Sequence, residues 1–297
     1  MLLLASSPLV AAAMVTMSVA PMRLLTFDLD DTLFPCGRVV QRANAALSSR
    51  LEALGATSVP DNFQDAIREV RQAHAAADGE PLTYSELRCR AIAELLGTSS
   101  SPALVDKCFD TWLDARQAEA DAMLFDGVVE ALTSVRQQHP QCIVGAVTNG
   151  RGDPREMRRL EGLFDFCVSG EDADVWPERK PSPAIYEHAL RRAASSSRGV
   201  PFAEPPFDVA LLRQAWVHVG DCLVNDVEAS KRAGASTVWF DVPHDPLATF
   251  STASPEEEER RRAARAKALA AGLVDCRIEA MSVLPSELAR LLRHSSE

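Results

Sequence analysis

No two cysteines in this sequence are spaced C-x-x-C, and its six histidines fall into no ligand pattern, so nothing in it reads as a zinc site. The seven cysteines (Cys36, Cys89, Cys108, Cys142, Cys167, Cys222, Cys276) are odd in number. That excludes a fully paired disulfide framework and reads as free thiols in a reducing compartment, small apolar residues of the interior. Positive charge is also short. Lys and Arg total 31 against 42 Asp and Glu, a net charge of −11, which argues against a nucleic-acid polymer as partner. No internal repeat is visible. What remains is the balance of a globular protein, 46% hydrophobic and 25% charged, with a length of 297 residues that suits one large domain or two ordinary ones.

The first 22 residues, MLLLASSPLVAAAMVTMSVAPM, lack any charged side chain. They read as a targeting segment or as an over-extended start, with Met14, Met17 and Met22 as alternative initiators. Polar residues and Pro8 interrupt the run, and no second membrane feature follows, so no stable membrane association is expected. The expected location is cytoplasmic, or a plastid or other organelle if this segment is a targeting signal.

From Arg23 the chain alternates between two kinds of pattern. Leu24–Leu29 is a short apolar run that ends in acid, a buried strand with carboxylates at its C-terminal end. Residues 37–123 show helical periodicity and no strand. Val39–Leu54 forms the first helix, Asp61 caps Phe63–Ala77, Thr83 with Glu86 forms a capping box, and Ser101-Pro102 opens a helix to about Ala122. Four consecutive helices predict a small helical domain inserted after the first strand. Strand and helix then alternate: a helix over Gly127–Gln138, strands at Ile143–Val147 and Phe166–Ser169, and a helix from Asp153-Pro154 to Leu160. A helix follows at Ala184–Ala194, strands at Trp216–Val219 and Thr237–Phe240, and a helix over Asp226–Ala233. Ser195–Pro206 reads as loop. The fold class is therefore α/β, a doubly wound, Rossmann-like parallel sheet (23–36 and 124–297) carrying a helical insert. Glu256–Ala271 reads as a solvated helix with pairs such as Glu257–Arg261.

Ligands of such sheets sit beyond the carboxyl ends of the strands. Three strand ends carry polar residues there: Asp28, Asp30 and Thr32; Thr148 and Asn149; Gly220, Asp221 and Asp226. Lys180, just before a helix start, adds one cation. Asp28, Asp221 and Asp226 are hard oxygen ligands of the kind Mg²⁺ prefers, and a bound Mg²⁺ relieves the repulsion among them. Asp28 is then free to attack phosphorus. Asp30, two residues on in extended backbone, lies on the same side and can protonate a leaving oxygen and later activate water. Thr148 and Lys180 can bind equatorial phosphate oxygens. Each short pattern alone is an ordinary turn or loop signal; together, in order and at strand ends, they specify chemistry.

FDLDDTLF, VTNG, RKPSPAIY and HVGDCLVNDVEASKRAG resemble the four motifs of the haloacid dehalogenase superfamily, and residues 37–123 are similar to its helical cap. The resemblance implies Asp28 as nucleophile and metal ligand, and Asp30 as general acid/base whose backbone carbonyl also faces the metal. It implies phosphate binding by Thr148, Asn149 and Lys180, a metal ligand in Asp221, and support from Asp226 and Thr32. Dehalogenases of this pattern lack the second acid, because halide leaves without a proton; Asp30 therefore implies hydrolysis of a phosphate ester through an aspartyl phosphate. Similar phosphatases act on FMN, on a riboflavin precursor phosphate, on nucleotides and on sugar phosphates, so a small phosphorylated metabolite is the expected partner. Tyr84, Arg88 and Arg90 are candidate contacts from the cap. The competing readings are a non-catalytic phospho-ligand module and a carbon–halide hydrolase of the same fold.

Overall fold

The computed structural model describes residues 22–56, 58–77, 79–196, 208–241 and 255–294. The expected N-terminal extension lies outside them except for Met22, which is buried in the core. The polar loop beyond residue 196 also lies outside them, as do the side chains of Glu257 and Arg261.

β1 (Leu24–Phe27) is buried along its whole length. The chain leaves it through a tight turn in which Asp31 takes a left-handed φ of 61°. It then builds α1 (Cys36–Ala53), α2 (Phe63–Ala76), α3 (Tyr84–Leu96) and α4 (Pro102–Ala122). Buried residues of α1 recur at Val40, Ala43, Leu47 and Leu51, a helical stripe that packs chiefly on α4. The cap of α2 is Asn62, not Asp61: its side chain accepts from the Gln64 N–H. Thr83 and Glu86 form the expected capping box, and Ser101 accepts from the Leu104 N–H with Pro102 behind it. These four helices enclose a core of their own, centred on Leu47, Phe63, Ile92 and Trp112. The chain returns at Phe125, whose N–H donates to the Leu33 carbonyl at 2.8 Å, so the strands entering and leaving the cap are tied together.

The rest is sheet and helix in turn: α5 (Val128–Gln138), β2 (Ile143–Thr148), β3 (Phe166–Ser169), α6 (Ala184–Ala194), α7 (Val209–Gln214), β4 (Trp216–Gly220), α8 (Ala229–Arg232), β5 (Ser236–Phe240), α9 (Pro255–Ala270), β6 (Cys276–Ile278) and α10 (Leu284–His294). Every strand pairing is parallel, in the order β3-β2-β1-β4-β5-β6, with Leu24 beside both Ile143 and Trp216. Period-two alternation divides the interior. Leu25, Phe27, Val144 and Val217 face one cluster with residues of α5 and α10; Leu24, Ile143 and Trp216 face another with residues of α6 and α8. Because the chain runs outward from β1 to β3 and then restarts at β4, a crevice opens at the carboxyl ends of β1, β2 and β4.

Two expected elements differ. Residues 153–160 form two short 3₁₀ turns, Pro154–Glu156 and Arg158–Leu160, separated by extended backbone at Met157, which is buried. The expected Asp226–Ala233 helix is instead a π-helical turn, Leu223–Glu228, running into α8. α7, β6 and α10 have no counterpart in the sequence reading.

Candidate active site

Asp28 follows the last residue of β1 and is 5% exposed. Its backbone N–H donates to the Val219 carbonyl at 2.9 Å, which fixes the strand end against β4. Lys180 Nζ contacts Asp28 Oδ1 and donates to Asp226 Oδ1 at 2.7 Å. Asp226 Oδ2 accepts from the Cys222 N–H at 3.0 Å. The π turn supplies this geometry: both the Asp226 and Val227 N–H groups reach the Cys222 carbonyl, at 2.8 and 3.1 Å, and the Asp226 side chain turns inward. Gly220 is the complementary piece, since a Cβ there would overlap Asp226.

Thr32 joins two of the strand ends. Its hydroxyl lies 3.4 Å from both Asp28 Oδ2 and Asp221 Oδ1 and accepts from the Asp221 N–H at 3.1 Å. Carboxylate oxygens of Asp28, Asp221 and Asp226 all fall within 4.8 Å of one another. Burial pushes the Asp28 carboxyl up to about 8, with Lys180 opposing and Asp226 adding. Burial, then Asp226 and Asp28, pushes Asp221 well above the usual carboxylate range. Asp226 goes the other way: burial opposes its charge, but Lys180 and then His218 hold it down to about 2. Lys180 is likewise held well above the ordinary lysine value by Asp226 and Asp28 in spite of its burial. Three acids thus share one lysine, and the excess negative charge falls on Asp28 and Asp221. An all-oxygen set with unrelieved negative charge fits a hard divalent cation.

His218 backs this group from beneath. Trp216 Nε1 donates to Thr26 Oγ1 at 2.8 Å, and the Thr26 hydroxyl lies 2.8 Å from His218 Nδ1. His218 Nε2 is 3.5 Å from Asp226 Oδ1, an oxygen that only accepts, and that favours the ring proton on Nε2 with Nδ1 accepting from Thr26. Burial lowers the His218 pKa and keeps the ring neutral. His218 thus braces Asp226.

Thr148 ends β2 and is buried at the cavity wall, with its hydroxyl 3.4 Å from the Gly150 N–H. Asn149 has a further duty. Its Oδ1 accepts from the Lys180 N–H at 2.8 Å and its Nδ2 donates to the Lys180 carbonyl at 3.0 Å, so the carboxamide holds the Lys180 backbone. Asp30 is outside the metal-type cluster. Its Oδ1 accepts from Arg116 Nη2 at 2.7 Å, across the boundary between sheet and cap. Arg116 is a residue the sequence reading missed. Its one signal was its place four residues after Trp112, on the same face of α4.

A cavity of about 1600 Å³ joins these groups to the cap, lined among others by Asp28, Asp30, Lys180, Asp221, Tyr84 and Arg88. Tyr84 is 41% exposed, with Arg179 4.6 Å from its ring centre. Arg88 is buried, donates to Asn44 Oδ1 at 2.9 Å and stacks 3.7 Å over Trp112. Burial and the like charge of Arg116 lower its pKa to about 9. Arg90 does not line the cavity. Two positions after Arg88 on a helix it points to the opposite side, exposed, within 2.9 Å of His74 Nδ1. Among the described residues no helix is long and apolar enough to cross a membrane.

The family described as haloacid dehalogenase-like hydrolase matches residues 22–234. A glyceraldehyde 3-phosphate phosphatase of Methanopyrus kandleri is 24% identical over 221 residues, 73% of this chain and 82% of that protein. A 2-haloacid dehalogenase from Pseudomonas syringae pv. Tomato DC3000 superposes with a TM-score of 0.60 at 26% identity, over 91% of this chain and 99% of that one. The L-2-haloacid dehalogenase PA0810 shares the fold, with a TM-score of 0.52 at 15% identity over 91% and 99% of the two chains.

Proposed function

This chain belongs to the haloacid dehalogenase-like hydrolases, and from that membership we propose that it is a Mg²⁺-dependent phosphatase of a small phosphorylated metabolite. The observation that carries the reading is Asp30. A carboxyl group two residues beyond the nucleophile, facing the same cavity, is what an ester oxygen needs in order to leave and what a halide does not. The phosphatase relative supports the same direction.

Asp28 attacks phosphorus through a carboxylate oxygen. The P–O bond to the leaving group breaks as Asp30 delivers its proton to that oxygen, and an aspartyl phosphate remains on Asp28. Asp30, now a carboxylate, takes a proton from water, whose oxygen attacks phosphorus; phosphate departs and both acids return to their first state. Lys180, held in place by Asn149, lies beside the reacting carboxylate and offsets charge on the phosphoryl oxygens, with Thr148 lining the same cavity. Asp28, Asp221 and the backbone carbonyl of Asp30 would hold Mg²⁺, with Asp226 in support. When bound, Mg²⁺ supplies Lewis-acid stabilisation and screens the approach of one anion to another.

The test is phosphate release from p-nitrophenyl phosphate with Mg²⁺ and with EDTA, followed by a panel containing FMN, the riboflavin precursor phosphate, nucleotides, sugar phosphates and glyceraldehyde 3-phosphate. Release that needs Mg²⁺, and that falls by at least roughly 10³-fold in Asp28→Asn, is expected. A second reading, carbon–halide hydrolysis, is favoured by the Pseudomonas syringae dehalogenase. Halide release from 2-chloropropionate without phosphate release from any ester would establish it and remove the phosphatase reading. If neither product forms while a phosphorylated ligand still binds, the chain is a phospho-ligand module.

A further inference from the structure

Arg88 is a buried cation with no acid to meet it. It is 5% exposed, and among the described residues no carboxylate lies within 4.0 Å of its guanidinium. Its acceptor is the neutral carboxamide oxygen of Asn44, at 2.9 Å, an oxygen it shares with Trp112 Nε1 at 3.0 Å. Arg116, 3% exposed, adds a second guanidinium on the same wall; Nη2 meets Asp30, while Nη1 has no hydrogen-bond partner. Glu171, an acid whose charge reaches Arg88, is engaged elsewhere: its oxygens accept from the Ser85 hydroxyl at 2.5 Å and the Ser85 N–H at 3.3 Å, and Arg151 lies 3.4 Å away. Two guanidiniums therefore face one contacting carboxylate in a desolvated wall, a charge excess opposite to that at Asp28 and Asp221. Buried charge is costly without a counter-ion, and a guanidinium fork is matched by a carboxylate or a phosphate.

Position limits what the counter-ion can be. Arg88 stacks on Trp112, and Arg116 follows Trp112 by four residues. Both guanidiniums line the cavity that also holds Asp28 and Asp30. Since Arg116 touches Asp30, the group that serves the leaving oxygen, an anion on Arg88 would lie on the leaving-group side of that oxygen.

We propose that Arg88, backed by Arg116, is an anion subsite in the cap, and that the substrate is a phosphate ester whose leaving group carries a second negative charge. This deepens the phosphatase reading and rests on it. The second charge is a carboxylate or a second phosphate, which the fork binds alike.

The experiment compares kcat/KM for 2-phosphoglycolate, propane-1,3-diyl bisphosphate and propyl phosphate. The charged esters are expected to be preferred over propyl phosphate by about tenfold or more, and Arg88→Met to erase that preference mainly through KM, with Arg88→Lys intermediate. Whichever charged ester leads identifies the anion. No preference in the wild-type protein, which requires no variant to fold, overturns the proposal; so does a preference that survives in Arg88→Met. A calorimetric arm uses Asp28→Asn with 2-phosphoglycolate and the bisphosphate, each with and without the Arg88→Met change. Tighter binding of these ligands than of propyl phosphate, lost on changing Arg88, is the expected result, and equal binding in both backgrounds overturns it. That arm needs no turnover, so if every ester proves inert the phosphatase reading falls while the anion subsite is judged by binding alone.

Discussion

Residue by residue, the site is a problem of unequal charge. An unfolded aspartate ionises near 3.8, the folded Asp28 at about 8. Between those values the native protein holds a proton that the unfolded chain has released, so this group's contribution to stability is full below the lower value and is lost as pH rises through the upper one. Asp221 is shifted in the same direction. Metal-free protein is therefore expected to lose melting temperature from pH 5 to pH 8, and Mg²⁺ to raise it far more at pH 8, where carboxylates are free to bind, than at pH 5. Melting curves at both pH values with and without Mg²⁺ check this; an equal Mg²⁺ effect at both would count against the acidic set as its site. Gly220 offers a sharper probe. A methyl at that position displaces Asp226, and with it Lys180, so Gly220→Ala should lower kcat by roughly 10²-fold, read by steady-state kinetics beside a wild-type control. At this scale the four motifs were legible because each is a continuous run at a strand end or helix start. Arg116 and the duty of Asn149 were not, because both depend on partners 86 and 31 residues away along the chain.

At the scale of elements, the start of α3 matters more than its length suggests. Thr83 and Glu86 close the capping box, and Glu171 from beyond β3 takes the exposed N–H and hydroxyl of Ser85 in the same turn. Thr83→Ala should cost about 1 kcal/mol and about 2 °C of melting temperature, measured by thermal denaturation. An effect indistinguishable from zero would mean that the Glu171 contact alone anchors the turn. Local signals of this type made the four cap helices readable. They failed where tertiary demand breaks periodicity. Met157 is drawn into the core and splits one expected helix into two turns, and the π turn at Leu223–Glu228 keeps the hydrophobic pattern of an α-helix while rotating Asp226 toward Lys180. β6 is three residues long, too short for alternation to register.

On the scale of the whole molecule, the described residues form three apolar interiors, two against the faces of the sheet and one inside the cap. Leu47 is fully buried in the third, and Leu47→Ala should cost about 2–5 kcal/mol. Hydrogen exchange is expected to show α1 to α4 losing protection while β1, β2 and β4 keep theirs; uniform loss would mean that cap and sheet unfold as one unit. Between the two bodies run polar links that include Arg116 to Asp30, Ser85 to Glu171, Gln117 Nε2 to the Asp153 carbonyl at 2.7 Å, and the Arg159 N–H to Asp121 at 2.8 Å. The sequence displayed the insert as a block of helices, but not these links, since nothing local marks a residue that serves another layer.

The bond from the Phe125 N–H to the Leu33 carbonyl sets how those links can break. With both crossings joined by that bond, the cap is attached to the sheet at one place and not at two separate tethers, so any parting of Arg116 from Asp30 would take its pivot there.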